Sequence, residues 1–126
     1  MIFSKYIKLF TIIIMSFFYI RIGVLHFTTP QYFLNIVPPY FPLHLELVYL
    51  SGFLEIFFGF LLLIKKYRYY AGWGLVLLLI AIFPANIYLA QSVEAQALIG
   101  VTQKTAILRL PFQIPMLLLA YWHTKS

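Results

Sequence analysis

The chain has 126 residues, of which 63% are hydrophobic, 20% aromatic and 10% charged, with a formal net charge of +6 and no cysteine. Soluble domains carry roughly a quarter charged residues, so this composition excludes an ordinary water-soluble globule and points to an integral membrane protein with one small domain, 1–126. Without cysteine there is no disulfide framework, CxxC redox pair, dithiol–quinone chemistry or thiolate metal site, and the basic residues edge apolar runs, which assigns them to membrane orientation rather than to nucleic acid.

Four apolar stretches occur in chain order, each near the ~20 residues a helix needs to cross the hydrocarbon. The first covers about 6–27, "YIKLFTIIIMSFFYIRIGVLHF". A cleaved signal peptide competes with a membrane span here, but no A-x-A-like site follows the apolar core. The second covers about 44–64 and ends at "KKYR" (65–68), and the third covers about 69–90. A polar stretch, "QSVEAQALIGVTQKT", separates it from the fourth, about 107–122, where Pro115 should kink the helix. The expected fold is all-α, a four-helix transmembrane bundle.

With an even number of spans, Lys5, Lys8, Lys65, Lys66, Arg68 and Lys125 share one side, and only Lys104 lies clearly in an opposite loop. The positive-inside rule then places both termini in the cytoplasm. Between the first two spans, "TTPQYFLNIVPPYFPLH" (28–44) contains Pro30, Pro38, Pro39 and Pro42, which forbid a regular helix across 37–42. Its interleaved aromatics favour the membrane–water boundary. Two readings stand: a rigid loop anchored at headgroups, or an interfacial segment forming a lid over a cavity.

One residue sits against the apolar pattern. Glu55 lies near the middle of "VYLSGFLEIFFGFLLLI" (48–64). Counting from the basic end at ~1.5 Å per residue puts Glu55 and Gln113 at about 15 Å, with Arg21 and Arg109 at about 20 Å and His26 and Asn86 nearer the outer surface. Arg109, Gln113, Met116 and Ala120 share one helical stripe, and Ser16, Tyr19, Gly23 and His26 form another, with Arg21 pointing away from it. Arg109 is therefore the expected counter-charge of Glu55, while Arg21 snorkels to headgroups. Gly23, Gly52, Gly59 and Gly74 are the expected close-packing positions, and Ala71, Gly74, Ala81 and Ala85 form a small-residue stripe on the third span. Pro84 frees backbone carbonyls beside Asn86, which neighbouring polar side chains can satisfy. The polar intramembrane cluster to expect is thus Glu55, Arg109, Gln113, Asn86, His26 and Arg21. Glu55 is open to three roles: a structural ion pair, a proton carrier, or a contact to a ligand. His44 and His123 fall at span ends and read as interfacial. No metal or haem site is expected, for want of a close ligand set.

The fragments "GVLHF" (23–27), "IVPPYFP" (36–42), "SGFLEIFFG" (51–59), "FPANIYLA" (83–90) and "LRLPFQ" (108–113) occur in this order across nearly the whole chain. Their order and spacing resemble the DoxX/DoxD superfamily of small bacterial membrane proteins. The resemblance implies a four-helix bundle in the bacterial inner (plasma) membrane. It carries Glu55, Asn86, Arg109 and Gln113 as motif residues, with Gly23, His26, Pro38 and Gly52, and no general catalytic residue. The superfamily's name comes from a subunit associated with a thiosulfate:quinone oxidoreductase. Related proteins assist methylamine-dehydrogenase maturation and, in animals, receptor assembly.

Three functions are open at this point. The first is a quinone-linked or redox-associated membrane subunit, with quinone as the ligand and Glu55 exchanging protons. The second is a non-catalytic assembly or scaffold factor with a membrane protein partner. The third is a small-solute or proton-linked transporter, which at this size requires a homo-oligomer. Lacking a redox centre of its own, the isolated chain is more readily a subunit than an enzyme.

Overall fold

The structure is a computed structural model and describes residues 2–125. Six α-helices follow in order: α1 (Ile2–Thr28), α2 (Pro30–Leu34), α3 (His44–Leu62), α4 (Arg68–Gln91), α5 (Val93–Ile99) and α6 (Gln103–His123). A 3-10 turn at Lys65–Tyr67 joins α3 to α4, and there is no strand among the described residues. Four helices, α1, α3, α4 with its leading turn, and α6, are long and apolar enough to cross a membrane. Their outward faces carry Phe10, Phe17, Phe53, Leu77 and Phe112, all exposed.

The observed limits differ from the sequence expectation where capping chemistry intervenes. The last long helix starts at Gln103 rather than near 107, because Thr102 accepts a hydrogen bond from the Thr105 amide (3.2 Å) and caps it. The polar stretch after α4 is itself partly helical. Ser92 caps α5 by accepting from the Ala95 amide, and Gly100, at φ 73°, ends it in the left-handed conformation that glycine tolerates. Pro84, Pro111 and Pro115 all lie inside continuous helices. Residues 35–43 are non-helical, as their prolines require, and α2 precedes them with Pro30 in its first turn.

Packing runs α1 on α3, α3 on α4 and α4 on α6, while α1 and α6 touch sparingly. The α1–α3 seam is a glycine contact. A Cβ on Gly52 would lie 2.5 Å from the Cβ of His26 and 2.9 Å from the Gly23 carbonyl oxygen, and one on Gly23 would lie 2.6 Å from the Gly52 carbonyl oxygen. Gly59 meets Ser16 and Tyr19 further along the same seam, and Gly74 admits the Phe58 ring between α3 and α4. Gly72, outside the expected set of close-packing glycines, brings α4 against the Ala120 carbonyl and Thr124. Of the small stripe on α4, Ala71 is fully buried but Ala81 is exposed. Ile12, Met15, Leu62, Leu75 and Leu79 fill the core between these contacts.

The first half of α1 and the end of α6 meet at one end of the bundle. Thr11 Oγ1 lies 3.0 Å from His123 Nε2, and the Lys8 ammonium sits 5.2 Å from the centre of the Trp122 ring. At the α1–α3 seam, Gly52 faces backbone and a Cβ rather than the far end of a movable side chain. Gly52→Ala should therefore destabilise the fold by about 1–3 kcal/mol. Gly74→Ala, which has only the Phe58 ring to displace, should cost less. Thermal unfolding of the two variants in the same detergent checks the order, and equal losses would refute the seam as the tighter contact.

Candidate functional site

Because α1 and α6 diverge from their contact at Thr11 and His123, they leave a cavity of about 740 Å³. Its walls come from α1, α3, α4 and α6, and α2 with Ile36, Val37, Pro38 and Phe41 lines its far end. The lining is largely aliphatic and aromatic, and polar groups enter it in two places.

The first is the α1–α3 seam. Glu55 is 3% exposed, and its Oε2 has no hydrogen-bond partner. The close Gly23–Gly52 approach sets His26 opposite it, with Nδ1 3.8 Å from that oxygen. His26 Nδ1 also lies 2.7 Å from the Ile22 carbonyl oxygen, which can only accept, so Nδ1 carries a proton. Tyr19, two turns earlier on α1, is 3% exposed and its hydroxyl is likewise unpartnered. Buried polar groups are normally hydrogen-bonded. That two residues lining one cavity each hold an unpartnered buried oxygen is therefore its most informative feature.

The second is the α4–α6 wall. Asn86 Nδ2 donates to Gln113 Oε1 (2.7 Å), and Gln113 Nε2 donates to the Leu79 carbonyl (2.9 Å). That carbonyl neighbours Ile80, whose usual helical donor Pro84 lacks. Arg109 donates from Nη2 to the Tyr32 hydroxyl (2.6 Å), joining α6 to the covering helix α2. The neighbouring Phe33 stacks on the His26 ring at 3.6 Å between centroids and 15° between planes.

The expected pairing of Glu55 with Arg109 is thus corrected. Glu55 faces His26 across the seam, and Arg109 reaches away to Tyr32. The reason is adjacency: α3 packs on α1 and α4, so the residue across the seam is His26, and α6 stands beyond the cavity. Arg21 lies outside the cluster, exposed on the opposite face of α1. Glu55, His26, Asn86, Arg109 and Gln113 all line the one cavity. His123, expected at an interface, is instead fully buried against Thr11. Tyr19, Tyr32 and Phe33 join the site beyond the expected cluster. Tyr19 shares the His26 stripe on α1, which is the signal that could have included it. The "QYF" run after Pro30 reads as boundary anchoring, and only the folded contacts turn it into a cover.

A family described as "Domain of unknown function (DUF8561)" matches residues 15–124. The chain belongs to this family. The DUF8561 region contains every polar residue of the cavity, from Tyr19 to Gln113. Neither a curated protein nor a solved structure matches the chain.

The Asn86–Gln113 pair supplies a test of the second wall. Gln113→Leu leaves the Asn86 amide and the Leu79 carbonyl without their partner and should destabilise by about 1–3 kcal/mol. In a double-mutant cycle with Asn86→Leu, the coupling should exceed about 0.5 kcal/mol. Strict additivity in denaturation measurements would contradict the hydrogen-bonded pair.

Proposed function

We propose that the protein is a DoxX-like multi-pass protein of the bacterial inner membrane, with both termini cytoplasmic. In this reading its cavity binds a quinone or quinol as a subunit linked to a redox partner. The observation that carries the reading is that two residues lining a largely apolar cavity, Glu55 and Tyr19, each hold a buried oxygen without a partner, Oε2 and the hydroxyl. At about 740 Å³ the space falls in the usual range for small-molecule sites. An apolar chamber with a few polar atoms at one side suits a ligand with an apolar tail and a polar ring. A quinone carbonyl accepts from the Tyr19 hydroxyl, and a quinol hydroxyl donates to the Glu55 carboxylate. Reduction of the quinone takes two electrons from the partner and two protons, and Glu55 is the group placed to pass a proton.

The membrane placement is supported by the four apolar helices with their exposed aromatic and aliphatic faces. The orientation is supported by basic residues gathered where the first half of α1 and the end of α6 meet. The DoxX likeness rests on the ordered motifs that hold Glu55, Asn86, Arg109 and Gln113.

Purification in mild detergent, with mass spectrometry of extracted lipids, should find quinone retained in near-stoichiometric amount. Titration with a short-chain quinone should show saturable quenching of aromatic fluorescence. Glu55→Gln and Tyr19→Phe should each weaken that binding about three- to tenfold, the value of one hydrogen bond. Absence of quinone, together with stable co-elution of one membrane protein, would replace this reading with the assembly-factor role. Proton-coupled flux in proteoliposomes would replace it with transport.

A further inference from the structure

The opposite end of the bundle from the cavity cover has a charge arrangement that the cavity does not explain. Lys8 on α1 and Arg68 at the start of α4 are both partly buried and both stand against the end of α6: Lys8 lies over the Trp122 ring, and Gly72, one turn after Arg68, packs on Ala120 and Thr124. The Arg68 Nε donates to the Leu62 carbonyl (2.7 Å), which fixes the guanidinium at the bundle edge. The Lys8 ammonium is held over the Trp122 ring. Thr11 donates its hydroxyl proton to the Lys8 carbonyl (2.9 Å), so toward His123 Nε2 it can only accept. His123 Nδ1 is left buried without a partner.

No acidic side chain balances this group. The chain has three acids. Glu46 is in the first turn of α3 and Glu94 in the first turn of α5, both at the other end, and Glu55 is in the cavity. Lys5, Lys65, Lys66 and Lys125 add further positive charge to the same end. Of these, Lys66 and Lys125 lie over the Tyr67 and Tyr121 rings. Two partly buried cations from different helices, held in place by other contacts and with no acidic side chain beside them among the described residues, suit an oxyanion as partner.

We propose that Lys8 and Arg68 bind a phosphate oxyanion, supplied by the headgroup of an anionic phospholipid. Arg68 presents its guanidinium fork to two phosphate oxygens and Lys8 its point charge to a third. The headgroup is the source that fits the surroundings. Exposed Tyr69, Tyr70 and Trp73 flank Arg68 along α4 and offer an apolar path for acyl chains. This site is independent of what the cavity holds and shares with that reading only the membrane placement.

The test is thermal unfolding of the full chain in mild detergent with added short-chain phosphatidylglycerol, phosphatidylcholine or inorganic phosphate, alongside native mass spectrometry. Phosphatidylglycerol should raise the midpoint saturably and remain bound as one lipid per chain, while phosphatidylcholine should do neither. Lys8→Gln should abolish the selective shift, Lys8→Arg should keep it, and Lys5→Gln, at an exposed position on the same helix, should leave it intact. A full shift with inorganic phosphate alone would keep the oxyanion site and overturn the lipid as its source in favour of a soluble anion. Equal responses to the two lipids would overturn the proposal without needing any variant to fold. Equal effects of Lys8→Gln and Lys5→Gln would overturn the assignment to Lys8.

Discussion

The close approach of α1 and α3 at Gly23 and Gly52 governs the lateral arrangement of the whole bundle. With no side chain on either residue, each backbone carbonyl occupies space that a Cβ would need. Helices with apolar outer faces gain little from hiding them against each other in lipid, so such a seam depends on intimate packing and on polar contacts that lipid cannot offer. Gly52 admits the His26 side chain, and Glu55, one turn on, is carried to within 3.8 Å of its ring. The same seam buries Ser16 and Tyr19. Because α1 is committed to α3, it cannot also close on α6, and the cavity is the space that this leaves.

Charge is divided along the bundle in a way that this geometry explains. Inside the cavity the acid has a histidine for company, and the arginine that could have neutralised it is spent on the tyrosine of the cover. At the far end, cations from α1 and α4 flank the end of α6 with no acidic side chain among them. The two regions therefore call for opposite chemistry: hydrogen-bond donors and acceptors on an apolar body in the cavity, and an oxyanion at the basic end.

The four long helices are legible as apolar runs of sufficient length, and so are the buried stripes. Ser16, Tyr19, Gly23 and His26 are all buried, and Arg109, Gln113 and Met116 all face the cavity. Helical periodicity determines those faces without knowledge of neighbours. Which stripe meets which is not legible. Counting depth from the basic end treats the helices as straight and parallel, and it places Arg109 a turn above Glu55 and His26 far from it. The folded chain puts His26 beside Glu55, because the glycine seam decides lateral neighbours and counting does not. His123 reads as interfacial by position, yet Thr11 of α1 covers it. The short helices α2 and α5 escape the sequence pattern for a different reason. Neither has enough residues for periodicity to register, and both depend on local signals, Pro30 for one and the Ser92 and Gly100 caps for the other.

The cover and the acid are joined through a single ring. Phe33 stacks on His26, and His26 faces Glu55, while Tyr32, the residue before Phe33, is held by Arg109 of α6. The five-residue helix α2 is thus tied to α1 by stacking and to α6 by one hydrogen bond, and it bridges the two helices that otherwise stand apart. Glu55, His26 and Phe33 thus form one chain of contacts from the cavity wall to α2. The prolines on either side of Tyr40 and Phe41 limit the conformations open to the rest of this segment.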